Sequence, residues 1–489
     1  MNKFFKLVGF DKSKETTVRT ELIAGIVTFL AMAYILTVNP NQIVGAGSPY
    51  WASVFIATAL GAVIGTLLMA FVAKMPLAQA SGMGLNSMLG GIIGGWGGYG
   101  AAFTPGQGFM LVLISGIAFL LLSVITIKGK TFRELVFDGM PVAVRSSISV
   151  GIGLFIAFIG FQNAQIIVDD PYVLLKLVDL TTFNASTANA IVCLIGLFVI
   201  SILDRMNVKG SIIIGVLAAA VIGVPLGVTD LSILAGAGDV SWRFWENFAN
   251  FFAGENSVFL SFTDVFSEGI APAGVSTFTV VMILITMCMI DMFDTMGTIV
   301  GCCGGNRILS DENNKPLNYG KIMLSDAVAT CTGAMLGTST VTTFVESGAG
   351  VSAGGRTGLT SFTTACMFLL ATLIVPVFQV IPGAATASAL IYVGVLMMKH
   401  NIKSVDFSNS INAVSAFLTI VIMVLSYSIT KGIGVGLISY TVMSIVAYLV
   451  ELIIASVKKT DKPAWNVSIV AIVVSVLFLI YFFVPATLF

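Results

Sequence analysis

From Glu21 to Phe489 this chain is a succession of apolar blocks separated by short polar breaks. A polytopic helical membrane protein is the fold class that accommodates such a pattern. Strands of a membrane barrel would alternate apolar and polar residues, and these blocks do not. Composition closes the soluble alternative: 57% of the 489 residues are hydrophobic and 10% are charged, where soluble domains carry about a quarter charged. The first twenty residues hold Lys3, Lys6, Lys12, Lys14 and Arg19 and lack a short apolar core with a cleavage site. They read as a cytoplasmic tail and not as a signal peptide.

The first seven spans are expected near 21–38, 52–73, 82–96, 109–127, 142–167, 188–203 and 210–228. A polar, aromatic-rich stretch follows from Asp230 to Asp264, where SWRFWENFANFF reads as an interfacial amphipathic loop. The second seven are expected near 274–300, 322–337, 339–356, 359–380, 386–399, 411–428 and 432–456. Basic residues test this order. With the N-terminus inside, the inner loops collect Lys74, Lys128, Lys130, Arg133, Arg205, Lys209, Arg307, Lys315, Lys321, Lys399, Lys403, Lys458, Lys459 and Lys462. The outer loops keep mainly Lys176, Arg243 and Lys431. The expectation is an all-α polytopic protein of fourteen transmembrane segments, multi-pass in the plasma or inner membrane, with a cytoplasmic N-terminus. Its parts are a tail at 1–20, seven spans over 21–228, an outer loop at 229–268, seven spans over 269–457 and a hydrophobic segment at 458–489. Within the last part, residues 464–486 are long enough to cross again or to lie along the surface.

Seven spans per half is an odd number, which implies an inverted repeat. VKGSIIIGVLAAAVIG at 208–223 echoes TKGIGVGLISYTVMSIV at 430–446, each closing its half. The third span of each half, 82–98 and 337–355, is Gly-rich and too polar for a plain helix. Small residues at tight helix crossings explain isolated glycines. They do not explain glycine clusters at the same ordinal position of both halves, so these spans are expected to be broken into a short strand and a half-helix facing a midplane site. TSTVTTF precedes one half-helix near Val345, and Pro76 to Gly82 precedes the other.

Polar groups stranded in apolar segments mark that site. Asp291 and Asp294 lie in ITMCMIDMFDTMGTIV, Glu346 in TTFVESGAG and Asn86 in SGMGLNSM. A charge at membrane depth costs several kcal/mol unless it meets a partner or a wet cavity, and Arg356 is the one basic candidate beside them. Asp291 and Asp294 are three apart and share one side of a helix. Two carboxylates that close cannot both ionise cheaply, which makes the pair a natural proton carrier. Thr343 and Ser347 add neutral hydrogen-bonding groups, while Thr295, Thr298 and Thr338 read as ties between helices. Carboxylates and an amide without Arg or Lys in plane suit a neutral, planar, donor-rich substrate such as a nucleobase edge. The six cysteines read as small packing residues, and His400 as a solvated loop residue.

At these residues the chain resembles the nucleobase:cation symporter-2 family, in its AzgA-like branch of adenine, guanine and hypoxanthine permeases. The motifs are TTVRTELIAGIVTFLAMAYILTVNPNQI at 16–43, SGMGLNSM at 81–88, GIGLFIAFIGFQNAQIIV at 151–168, DMFDTMGTIVG at 291–301, GTSTVTTFVESGAGVSAGGRTGLTS at 337–361 and PGAATASALIYVGVLM at 382–397. The resemblance implies fourteen helices in two inverted repeats, a core and a gate domain, often a homodimer, and proton-coupled purine uptake. It implies that Asp291, Asp294 and Glu346 hold the base or the proton and that Asn86 belongs to the same site. Ser87-Met88 stands where relatives usually carry Ala and an aromatic residue, and Ser388 where proline is common. The first departure removes a natural stacking partner for the base and leaves the preferred purine open.

The expected partners are a purine nucleobase, a proton and the lipid bilayer, with no nucleic acid, no cofactor and no metal; sodium is the alternative coupling ion. A carrier of xanthine, uracil or an anion on the same architecture is the rival reading. An intramembrane transferase using Asp-x-x-Asp would need a second acidic cluster and basic residues for a diphosphate, and these spans offer neither.

Overall fold

The structure, a computed structural model, describes residues 3–11, 15–95, 101–127, 130–131, 139–170, 174–235, 241–303, 308–310, 316–405, 407–459, 461, 464–465 and 467–483. Lys12, Lys14, Lys128, Arg133, Arg307, Lys315 and Lys462 lie outside the described residues, as do 96–98 of the third span and 466 and 484–486 of the last block. Where the apolar blocks become helices, local chemistry sets their ends. Thr17 caps α1 (Val18–Met32) by accepting from the Thr20 amide at 3.2 Å. After a break at Ala33-Tyr34 the chain continues as α2 (Ile35–Ile43). Then come α3 (Trp51–Leu68), α4 (Met83–Gly94) and α5 (Pro105–Val124). Thr104 and Gln107 form a reciprocal capping box at the start of α5, with Pro105 at the first helical position. Next are α6 (Val142–Asn163), α7 (Ala185–Arg205) and α8 (Ser211–Gly223).

The interhelical stretch at 230–264 contains α9 (Phe244–Ala253), with Asn247 and Phe251 buried and Trp245 and Phe252 exposed. Beyond it run α10 (Thr277–Cys303), α11 (Tyr319–Leu336), α12 (Ser347–Ser352), α13 (Gly358–Ala371), α14 (Gly383–Asn401), α15 (Ser410–Leu425), α16 (Ile429–Lys458) and α17 (Ile469–Phe483). Among the described residues seven helical stretches are long and apolar enough to cross a bilayer: Val18–Ile43, Trp51–Ala73, Pro105–Val124, Val142–Asn163, Ala185–Arg205, Gly358–Gln379 and Ile429–Lys458.

The helices pack as two groups. In one, α1, α3, α5, α10, α11, α12 and α13 pack on one another; in the other, α6, α7, α8, α14, α15 and α16 do. Small residues let the second group close. A Cβ on Gly394 of α14 would stand 2.3 Å from the Gly153 carbonyl oxygen, and one on Gly153 would stand 2.7 Å from that of Gly394. Gly394→Val is therefore expected to force α6 and α14 apart at a cost of about 1–3 kcal/mol. A lowered melting temperature of the purified protein would show it, and an unchanged one would refute it.

Two short strands tie the first group together. Gln79–Ser81 pairs antiparallel with Val341–Thr343, Gln79 facing Thr343 and Ser81 facing Val341. Each strand is followed by a short helix, α4 or α12, and the strands' backbone groups are met across this pair.

Two expectations need correction. The first span reaches beyond 21–38: it starts at Val18 and ends at Ile43, with Ala33-Tyr34 between its two helices. The fifth stops at Asn163 and not at 167, because Gln165 takes a left-handed turn (φ 55°). Ile167–Asp170 then pairs with Leu174–Leu177 as a hairpin, so the molecule is not purely helical. The last block becomes α17, which runs antiparallel along α16: Ser475 bonds Thr441 at 2.8 Å, and Phe478 and Phe482 cover Gly434.

Candidate substrate site

The paired strands, the α1–α2 break, α10 and α11 converge on one buried polar centre. Glu346 occupies the N-cap position of α12, directly after the second strand. Its carboxylate accepts from the Tyr34 hydroxyl at 2.6 Å, the length of an O–H···O bond to a charged acceptor. Tyr34 sits between α1 and α2, and its hydroxyl reaches the centre from there. Asp294 of α10 lies in electrostatic reach of Glu346 and of Asp326.

Asp326 is fully buried on α11 and was not among the residues expected from sequence. The Thr295 hydroxyl bonds its two oxygens at 2.9 and 3.1 Å, and Gln79 Nε2 donates to it at 3.1 Å. Gln79 belongs to the first strand, so Asp326 fixes strand, α10 and α11 together. The signal for it was present: KIMLSDAVATC places an acid inside an apolar span, and the cost of burial that singled out Asp291 applies equally. Tyr34 gave no comparable signal, since an aromatic residue in an apolar block is ordinary.

Asp291 and Asp294 have different neighbours. Asp291 is buried beside Thr330, whose hydroxyl lies 3.5 Å from Oδ2, and near Cys331. Asp294, one turn on, faces the Glu346 side. Asn86 is buried one turn into α4; its Nδ2 donates to the Ser81 carbonyl at 3.3 Å, and the Ser339 hydroxyl donates to its Oδ1. Ser81 in turn bonds Thr338 at 2.7 Å, and Asn39 Nδ2 reaches Thr338 at 2.8 Å. Thr343 accepts weakly from Gln79 Nε2 at 3.4 Å. The Ser347 hydroxyl accepts from the Ala78 amide at 3.0 Å, so it fastens the start of α12 to the opposite strand.

Arg356 does not serve these acids: its guanidinium donates to the Val351 and Gly355 carbonyls. Its amide helps hold a different carboxylate, Glu21, which also accepts from the Thr360 hydroxyl at 2.6 Å and caps α13. The ion pairs Lys176–Asp170, in the hairpin, and Arg243–Glu246, at the start of α9, lie away from these acids. Asp294, in electrostatic reach of both Glu346 and Asp326, makes the three an acidic centre, and gathered carboxylates cannot all carry charge cheaply. Such a centre can bind protons and present acceptors to N–H groups of a neutral ligand.

The model of a permease family, Xan_ur_permease, matches residues 19–435. The guanine/hypoxanthine permease PbuO of Bacillus subtilis (strain 168) is 35% identical over 88% of this chain and 93% of its own length. The adenine permease AdeP of Escherichia coli (strain K12) is 33% identical over 91% of this chain and 90% of its own. Among solved structures, the transmembrane domain of the cyanobacterial bicarbonate transporter BicA superposes with a TM-score of 0.55 at 14% identity, covering 84% of this chain and 97% of that one. SLC26A9 superposes with a TM-score of 0.58 at 9% identity, covering 91% and 68%. Those two share the fold alone. Because the family match runs from residue 19 to residue 435 and the fold recurs in membrane transporters, the chain belongs to this permease family and is an integral, multi-pass membrane permease, not an enzyme.

Proposed function

We propose that this permease imports purine nucleobases (adenine, guanine or hypoxanthine) together with protons across the plasma or inner membrane, by alternating access around the centre just described. The observation that carries the reading is the Tyr34–Glu346 hydrogen bond with Asp294 and Asp326 close by, at the point where the two strand-to-half-helix segments meet. Asp291, Asp294 and Glu346 take up the proton; Asn86, Thr343 and Ser347 complete the base-binding surface. The fourteen spans form a 7+7 inverted repeat with the N-terminus cytoplasmic; the Glu346 group of helices is the core and the α6–α8, α14–α16 group the gate. Protonation neutralises the core, and neutrality lets the loaded core cross the apolar layer. An anion would meet the carboxylates' repulsion, which disfavours the rival substrates of that class. The same fold carries a homodimer in this reading.

Uptake of labelled adenine, guanine, hypoxanthine, xanthine and uracil into vesicles with an imposed inward proton gradient, with and without sodium, tests it. Purine uptake that collapses when the gradient is dissipated, and ignores sodium, is expected. Sodium-dependent uptake would overturn the coupling, and preference for a pyrimidine or an anion would overturn the substrate.

A further inference from the structure

A cavity of about 390 Å³ lies at one end of the bundle, where the end of α2 and the loop after it, the far end of α4, the start of α5, the end of α6 and the turn between α15 and α16 meet. Its volume falls in the range of about 300–1,000 Å³ typical of small-molecule pockets. None of the described residues lining it is charged; its polar groups include Asn41, Gln42, Asn163, Tyr50, Ser87 and Tyr427. Its lining holds none of the residues of the acidic centre but adjoins Asn86. Gly90, which lines it, follows Asn86 by four residues on the same face of α4, about 6 Å along the helix.

Two features single this cavity out. Gln42 Nε2 donates to the Ser87 hydroxyl at 3.0 Å, joining α2 to α4 across the side nearest Asn86. Only a glycine at 90 permits this approach, since a Cβ there would stand 2.1 Å from the Gln42 carbonyl oxygen. The Gln42 Oε1 atom is buried and accepts no hydrogen bond from the described residues. Tyr427 holds φ 50° between α15 and α16, a conformation uncommon for a bulky residue. Its ring is braced edge-on by Phe155 at 5.4 Å and Phe158 at 5.9 Å.

We propose that this cavity is a second docking site for the same neutral, planar base, occupied before the central site, with the Gln42–Ser87 hydrogen bond as the latch between the two. Carboxamides and hydroxyls read adjacent N–H and C=O edges, and a fixed aromatic ring offers a stacking face. With no carboxylate on its wall, the cavity takes the base alone and leaves the proton to the acidic centre. The inference rests on the importer reading with a cytoplasmic N-terminus, which puts this end of the bundle outside.

Binding of labelled adenine, guanine and hypoxanthine to the purified full chain is measured at equilibrium for the wild type, Tyr427→Ala and Asn163→Ala. The wild type is expected to bind two bases per chain. Tyr427→Ala is expected to weaken one of the two sites about tenfold, the scale of one lost base–aromatic stack, with the other unchanged. The retained second site reports that the variant is folded. Asn163 is exposed, and Asn163→Ala should weaken the same site by a smaller factor, about threefold; it decides the matter alone if Tyr427→Ala does not fold. One base per chain in the wild type, equal weakening of both sites, or no change in either variant overturns the docking site. A wild type that binds no purine sinks the importer reading and this inference with it, and that failure is recognisable because it does not involve a variant.

Discussion

Glu346→Gln is expected to reduce gradient-driven purine uptake at least about a hundredfold while leaving the folded protein in the membrane. The substitution keeps the shape of the side chain and an oxygen that can accept from Tyr34. What it removes is the ability to gain and lose a proton. Charge neutralisation at membrane depth is worth several kcal/mol, and each 1.36 kcal/mol is a factor of ten in rate. Exchange of labelled for unlabelled base at equal pH should survive better than net uptake, since a permanently neutral side chain does not bar the loaded core from moving. Asp294→Asn should follow the same pattern, because its carboxylate stands in reach of Glu346 and Asp326. Normal proton-driven uptake by either variant refutes the role given to these acids.

Asp326→Leu is expected to destabilise the protein by about 2–6 kcal/mol. The aspartate accepts from Thr295 on its own neighbour α10 and from Gln79 on the first strand. Leucine is close in size but leaves both donors buried without that acceptor, at about 1–3 kcal/mol for each. Asp326→Asn keeps one acceptor oxygen and should cost only about 1 kcal/mol. Thermal melts of the two purified variants beside the wild type give the comparison. A leucine variant that melts with the wild type would show that Asp326 does not hold the strand to α10 and α11.

Helix placement was largely legible because its cause is local. Hydropathy, β-branched runs and glycine clusters act within a few residues: α4 falls within 82–96 after a strand at Gln79–Ser81, and α12 within 339–356 after a strand at Val341–Thr343. The misplaced ends had local causes too, but ones that hydropathy does not register. Gln165 leaves the helical region in the middle of an apolar run, and Ala33-Tyr34 interrupts a block with no glycine or proline at the break. Asp294 and Glu346 were legible for a different reason: burying a carboxylate in an apolar segment is costly enough to stand out in one dimension, and the same cost marks Asp326, which the expected site lacks. Tyr34, Gln79 and Asn39 carry no such penalty, and their importance comes only from what they touch.

The amino-acid order alone thus determined that this chain lives in a bilayer, where its helices run, and that a few oxygen-bearing side chains sit at depth within them. Which of those side chains meet was decided in three dimensions. Gln79 and Thr343 are 264 residues apart, and only their strand pairing brings the two halves of the chain together at one point. Helical periodicity put Asp291 and Asp294 on one side of α10, but the packing of α11 and α12 against that side gave Asp291 to Thr330 and Asp294 to Glu346. A repeat of 3.6 residues fixes a direction; the neighbour found in that direction depends on contacts far away in the chain.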